Sequence, residues 1–236
     1  WRRSPRAEQA AASARVARQS EALVETFTLL ARLTADLPKL KAAVATGDPP
    51  TVQPLAADYQ QMLARSSLVV VTDQDGRVLA SAGPAVPRPA PAETLTSVRS
   101  ALGGVAAAAF RVYPGGILQV LSVPITVGGA PARLAGTLSV GFLLDSALAS
   151  DFKQLTGSEI AFGLNGKIRA ATLSEKAWPA IEKARRADRV SSVAFERDEY
   201  VLWSKPLAPE PVGAQAHPDI APADSAPFVV VVRSRT

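Results

Sequence analysis

Apolar residues follow two rhythms along this chain. Between about residues 7 and 46, Ala, Glu, Gln, Arg and Leu dominate, and Val16, Ser20, Leu23, Phe27, Leu30, Thr34 and Leu37 recur at alternating steps of four and three. That spacing predicts a long helix with a heptad-like seam, interrupted at two polar positions. Pro38 is expected to kink or restart the helix, Gly47 with Pro49-Pro50 to end it, and Thr51 to cap a second helix to about Arg65. The rhythm then shortens to β-branched runs. In "LVVVTDQDGRVLASAG" (68–83) two such runs flank Asp73-Gln74-Asp75-Gly76. Asp75-Gly76 is a hairpin signal, because glycine accepts positive φ where the chain reverses. A calcium loop starting at Asp73 would need Gly at its sixth position and Glu at its twelfth, where Val78 and Pro84 stand. The stretch reads as a turn.

A Pro-rich loop then leads to a predicted helix from Ala92 to Leu102, closed by Gly103-Gly104. Three strands are expected over 105–113, 117–126 and 133–144, and Asp145 is placed to cap a helix from Ser146 to Leu155. The pattern then starts again. Gly76-Arg77-Val78-Leu79-Ala80 matches Gly166-Lys167-Ile168-Arg169-Ala170, and each hairpin is followed by a helix, the second over 175–187. After each helix comes Ser-x-Pro-aliphatic, at Ser122-Val123-Pro124-Ile125 and at Ser204-Lys205-Pro206-Leu207. This order predicts an α+β chain with two tandem antiparallel modules behind one long N-terminal helix. Residues 208–227 form a Pro- and Ala-rich excursion, and 228–232 a closing strand.

The 236 residues are 47% hydrophobic, enough to bury a core, and include no cysteine, which excludes disulfides and thiolate sites. No apolar run approaches the roughly 18 to 20 residues that span a bilayer. The net charge of +5 comes from scattered basic residues without interleaved aromatics, so nucleic acid is not the expected partner. His217, the single histidine, lies in the Pro-rich excursion, and there is no nucleophile elbow, phosphate loop, dinucleotide fingerprint or His/Cys metal spacing. Neither catalysis, a metal nor a cofactor is expected.

The kinked helix in "LARLTADLPKLKAAVATGDPP", the hairpin phrase 68–83, "LSVPITVGG" and "GTLSVGFLLDSALASDFKQLTGSEIAFGLNGKIRAAT" together resemble the double Cache (tandem PAS-like) extracytoplasmic sensor domains of bacterial transmembrane receptors. The resemblance implies helices over 1–65, a membrane-distal PAS-like module over 66–157 and a membrane-proximal one over 158–236. It also implies flanking transmembrane helices, a periplasmic location in an inner-membrane protein, and an output such as a histidine kinase, chemotaxis module or cyclase. Amino-acid-binding members carry closely spaced Arg, Trp and Tyr in the distal module; here Trp178 and Trp203 both fall in the proximal half.

On that reading a small-molecule ligand, tested first as an organic acid, would sit between the central strands and segment 84–102. Arg99 or Arg111 would pair a carboxylate through two parallel hydrogen bonds. Alternation along strands puts Arg111 and Tyr113 on one face, and Thr137, Ser139 and Gly141 on one face; Gln119 would join if its parity is right. The competing readings are that Arg111 and Tyr113 simply face solvent, and that the chain is a dimerisation module without a ligand. A weak homodimer along the N-terminal helix is expected, with most of the seam buried within its own chain.

Overall fold

A computed structural model describes residues 29–63, 66–85, 96–129, 131–185, 190–195, 198–207 and 226–234. The seam positions Val16, Ser20, Leu23 and Phe27, the start of the helix expected over 92–102, and the excursion that holds His217 lie outside them. The described residues group into two compact units: those up to Phe110 with Leu118–Leu143, and Arg111–Ile117 with those from Leu144 onward.

Residues 29–35 are helical (α1). The helix breaks before Pro38 as expected, and Pro38 occupies the first turn of a new helix, α2 (Pro38–Thr46), where a missing N–H costs nothing. Gly47, at φ 66°, ends α2 in the left-handed conformation. α3 spans Pro49–Met62, and its cap is Asp48 rather than Thr51: the Asp48 carboxylate accepts from the Thr51 N–H at 3.1 Å. Pro49 and Pro50 fill the first two helical positions, so the cap must precede them. The α1 seam also differs from expectation. Ala31 and Ala35 are its core contacts, at 1% and 2% exposure, whereas Leu30 and Leu37 remain 40% and 38% exposed. Small side chains let the helix approach closely, and the leucines are left on the outside.

The first sheet comes next. It contains β1 (Ser66–Asp73), β2 (Val78–Ala82), β3 (Ala107–Tyr113), β4 (Gly116–Val127) and β5 (Arg133–Asp145), with α4 (Thr96–Leu102) between β2 and β3. The five strands lie in the order β2-β1-β5-β4-β3. Val69 pairs with Val140 and Val71 with Leu138 across β1 and β5, and these residues join Leu121, Val123 and Ile125 of β4 against Leu40, Val52 and Leu55 of α2 and α3. One face of β1, β5 and β4 is thus buried in a core shared with α1, α2 and α3. At the outer strand, the Gln53 amide of α3 donates to the Ser81 carbonyl at 2.8 Å and accepts from the Ser81 N–H at 3.2 Å.

The second unit holds α5 (Ser146–Thr156), β6 (Glu159–Leu164), β7 (Lys167–Ala171), a 3-10 turn (Glu175–Ala177) running into α6 (Trp178–Ala184), β8 (Val190–Phe195), β9 (Asp198–Pro206) and β10 (Phe228–Ser234). Asp145 caps α5, accepting from the Leu148 N–H at 2.8 Å. The strand order is β7-β6-β10-β9-β8, the same path as in the first sheet. Ile181 of α6 packs on one face with Ala161, Ile168, Leu202, Phe228, Val230 and Val232. Phe152 of α5 meets Phe162 edge to face at 6.2 Å. The α+β architecture with two antiparallel sheets and both predicted hairpins is therefore present.

Candidate functional site

The first sheet has a second face, and its chemistry differs from the first. Thr72 lies opposite Thr137, Val70 opposite Ser139 and Leu68 opposite Gly141, so these residues share one side of β1 and β5. The Thr72 and Thr137 hydroxyls are 2.8 Å apart. Ser122 of β4 donates to Ser97 of α4 at 3.0 Å and lies 2.8 Å from the Ser139 hydroxyl. All five hydroxyl side chains are at most 1% exposed. Burying a hydroxyl without a partner is costly, and here each is paired with another. Gly141 keeps the layer thin: a Cβ there would come within 2.7 Å of the Leu68 Cβ. Helix α4 covers this face, burying Ser97, Val98 and Ala101.

The expected site residues are distributed unevenly. Ser139 is fully buried in the hydroxyl chain. Gln119 is also buried, yet it shares parity with Leu121 and Val123 and so belongs on the helix-packed side of β4. Arg99 is exposed on α4, turned away from the buried positions on that helix. Arg111 is exposed and Tyr113 half-buried on β3, in the stretch Arg111–Ile117 that groups with the second unit. Sequence reasoning missed Ser97, Ser122 and Thr72. The signal for Ser122 was present in the repeated Ser-x-Pro phrase, and that for Thr72 in its place within a β-branched run; nothing marked Ser97.

Charge contributes little to this face. The Tyr59 phenol of α3 is held above its ordinary pKa by burial, with Asp58 adding to the effect, but Tyr59 sits in the opposite, helix-packed core. What the α4-covered face offers is neutral hydroxyl donors and acceptors, which can rotate to suit a partner.

The Asp73 carboxylate, part of the acidic turn, is spent on local backbone: its Oδ1 accepts from the Asp75 and Arg77 N–H groups at 2.9 Å each. The turn is an organiser of the β1–β2 hairpin.

The family model described as the double sensory domain of two-component sensor kinases matches residues 6–190. No curated protein sequence matches the chain. Among solved structures, it is similar to the periplasmic domain of Vibrio cholerae LuxQ, with 14% identity, 95% of this chain and 99% of that one covered, and a TM-score of 0.60. The sensor domain of the V. cholerae histidine kinase DctB gives 11% identity, coverage of 96% and 94%, and a TM-score of 0.60. The ligand-binding domain of the Pseudomonas fluorescens chemoreceptor CtaA, solved with L-serine, gives 13% identity, 92% of each chain and a TM-score of 0.59. At these identities the likeness is one of fold. No helix among the described residues is long and apolar enough to cross a membrane.

Proposed function

The chain belongs to the double sensory domain family of two-component sensor kinases, and on that footing we propose that it senses a small molecule outside the cytoplasm, with the α4-covered face of the first sheet as the recognition surface. As a sensory domain it is a binding and signalling module rather than a catalyst. The observation that carries the assignment of the face is the contrast between the two sides of the first sheet. One side is aliphatic core beneath α2 and α3; the other sets Thr72, Thr137, Ser122, Ser139 and Gly141 among Leu68, Val70 and Leu118 beneath α4. Small and polar side chains set into an otherwise aliphatic layer suit a convertible pocket better than a rigid core.

In this reading residues 66–157 form the membrane-distal module and 158–236 the membrane-proximal one, in a protein whose transmembrane helices flank this segment and whose output domain lies in the cytoplasm. Ser139 belongs to the recognition surface, and Arg99 and Arg111 are the candidate charge partners for an organic acid. Thermal shift with small organic acids, amino acids and neutral polyols tests it, because a ligand that binds the native state raises Tm by mass action. A carboxylate-induced rise that disappears in Arg111→Ala or Arg99→Ala supports those arginines. A rise that survives in both removes them from the site, and no rise with any compound class counts against sensing by this face.

Association follows from the outer face of α1. Leu29, Leu30 and Leu33 are 58%, 40% and 56% exposed, while Ala31 and Ala35 make the contacts with the core. Exposed leucines at this spacing fit a second copy of the same helix, and the reading is a weak homodimer. Sedimentation should show self-association at high micromolar concentration that Leu33→Glu abolishes; a monomeric wild type at that concentration would remove the dimer.

A further inference from the structure

Asn165 is the only asparagine in the chain, and Gly166 follows it. The pair forms the turn between β6 and β7, with positive φ at both residues, 57° and 72°. Asn165 is exposed, and among the described residues neither its side chain nor the Gly166 N–H takes part in a hydrogen bond. An asparagine followed by glycine carries its own nucleophile. The Gly166 nitrogen can attack the Asn165 Cγ, because no Cβ on the second residue obstructs the approach. The new N–C bond closes a five-membered imide, and the side-chain nitrogen leaves as ammonia with the proton that the Gly166 nitrogen gives up. One water then opens the ring. Addition at Cγ gives aspartate, and addition at the main-chain carbonyl gives isoaspartate, whose backbone runs through Cβ and Cγ. No oxidant or cofactor enters the balance.

The closed hairpin opposes this reaction. In a two-residue turn of this hand ψ at the first residue is about +30°, the mirror image of a type I turn, and the next nitrogen points away from the asparagine side chain. Ring closure therefore requires the turn to open. Only two register pairs, Gly163 with Ile168 and Leu164 with Lys167, lie between the turn and the irregularity at Phe162/Gly163. β7 is also an outer strand, with a neighbouring strand on one side only. What reinforces this short stem is Glu182 of α6. Its carboxylate accepts from the Ile168 N–H at 2.8 Å and from the Lys167 ammonium at 3.0 Å, so both bonds fall on the two residues of β7 nearest the turn. Isoaspartate would lengthen the main chain of the turn by a methylene. Leu164 and Lys167 would then no longer meet in register, and Ile168 would be drawn away from Glu182.

We propose that Asn165-Gly166 is a site of spontaneous deamidation whose rate is limited by the Glu182 contact, and that isoaspartate formed there releases the β7 edge from α6. No ligand enters the proposal, so it stands apart from the sensing assignment.

Timed incubation of the whole chain at neutral pH is the experiment. Peptide mapping by mass spectrometry follows conversion, and methyl transfer by an isoaspartyl methyltransferase identifies the isoaspartate. The Asn165 peptide should convert in the folded chain, more slowly than in urea. Glu182→Gln removes the charge that strengthens both bonds and should raise the folded rate about three- to ten-fold, the size of one net hydrogen bond. Gln53→Ala, in the first unit, should leave that rate unchanged. Asn165→Gly keeps a pair suited to the turn and should accept no methyl group there. Converted wild type should exchange its β7 amide hydrogens faster, and Asn165→Gly incubated for the same time should not. Equal folded rates in wild type and Glu182→Gln overturn the proposal, as does an effect of the same size from Gln53→Ala. So does conversion as fast in the folded chain as in urea, no conversion in the folded chain while the unfolded chain converts, or unchanged β7 exchange after conversion.

Discussion

The two sheets follow the same path and are filled differently. Ser122 and Ser204 hold the same place in the repeated Ser-x-Pro phrase, each on the strand next to the outer one. Ser122 meets Ser97 and Ser139; Ser204 lies opposite Val230 in the strand register. The helices that cross the two sheets differ in the same sense. α4 buries Ser97, Val98 and Ala101, whereas α6 sinks Ile181 into an aliphatic core and adds a second attachment through Glu182. The Glu182 carboxylate accepts from the Ile168 N–H at 2.8 Å and from the Lys167 ammonium at 3.0 Å, fixing α6 to the outer strand β7. The comparison teaches that backbone topology tolerates a wide choice of interior side chains. One copy of the repeat packs its helix on aliphatic side chains while the other keeps paired buried hydroxyls.

Substitutions can break this comparison, and the largest effect is expected at the glycines. A Cβ at Gly136 would strike the Thr72 carbonyl oxygen, and one at Gly163 would strike the Phe228 ring. Backbone cannot swing aside, but a ring can in part, although Arg185 stacks on Phe228 at 3.9 Å. Gly136→Ala should therefore cost about 3 kcal/mol, at the upper end for overpacking, and Gly163→Ala about 1 to 2 kcal/mol. Urea unfolding of both variants measures this, and equal costs would contradict the expectation that the first sheet tolerates less at its β1–β5 seam than the second does beside Phe228. A second test exchanges the paired serines. Ser122→Val should lose about 1 to 3 kcal/mol, because it removes the shared partner of two buried hydroxyls. Ser204→Val, opposite Val230, should lose less than about 1 kcal/mol. Similar losses would show that the hydroxyl chain does nothing special.

The smallest effects are expected at the helix-to-edge ties. Glu182→Gln keeps the size of the side chain and removes its charge, and should cost about 1 kcal/mol, read as a lower Tm and faster exchange in β7. Gln53→Ala, at an exposed site, should cost about 0.5 kcal/mol. If Gln53→Ala proved the more damaging, the ranking of the two units by how firmly their helices are attached would be reversed.

Much of this frame could be read along the chain, because strands and turns announce themselves locally. Asn165-Gly166 is the clearest case: both residues have positive φ, 57° and 72°, as a two-residue turn of this hand requires. The first hairpin needed more than its Asp75-Gly76 pair. There Gly76 takes φ 83°, and Asp73 closes the turn with its carboxylate. Side-chain partnerships across the fold were harder to read. Ser97 lies 25 residues from Ser122, and Thr72 lies 65 from Thr137, so no local pattern joins them. Gln119 shows the limit of parity arguments: alternation fixes which residues share a face but not which face the helices will cover. The α3 cap was assigned to Thr51 alone, and it falls on Asp48 because Pro49 and Pro50 already occupy the first helical positions.

Gln53 carries one more implication. Its amide donates to and accepts from a single residue of β2, as the next strand of a sheet would. The outer border of a sheet is where unrelated chains begin to knit together, since its backbone groups are ready to pair with any extended segment. By occupying both groups of Ser81, one side chain closes that border at its middle, and an incoming strand would have to displace α3 before it could start to pair. Protection of this border against edge pairing is thus written into a helix, at a position that no inspection of the strands themselves would single out.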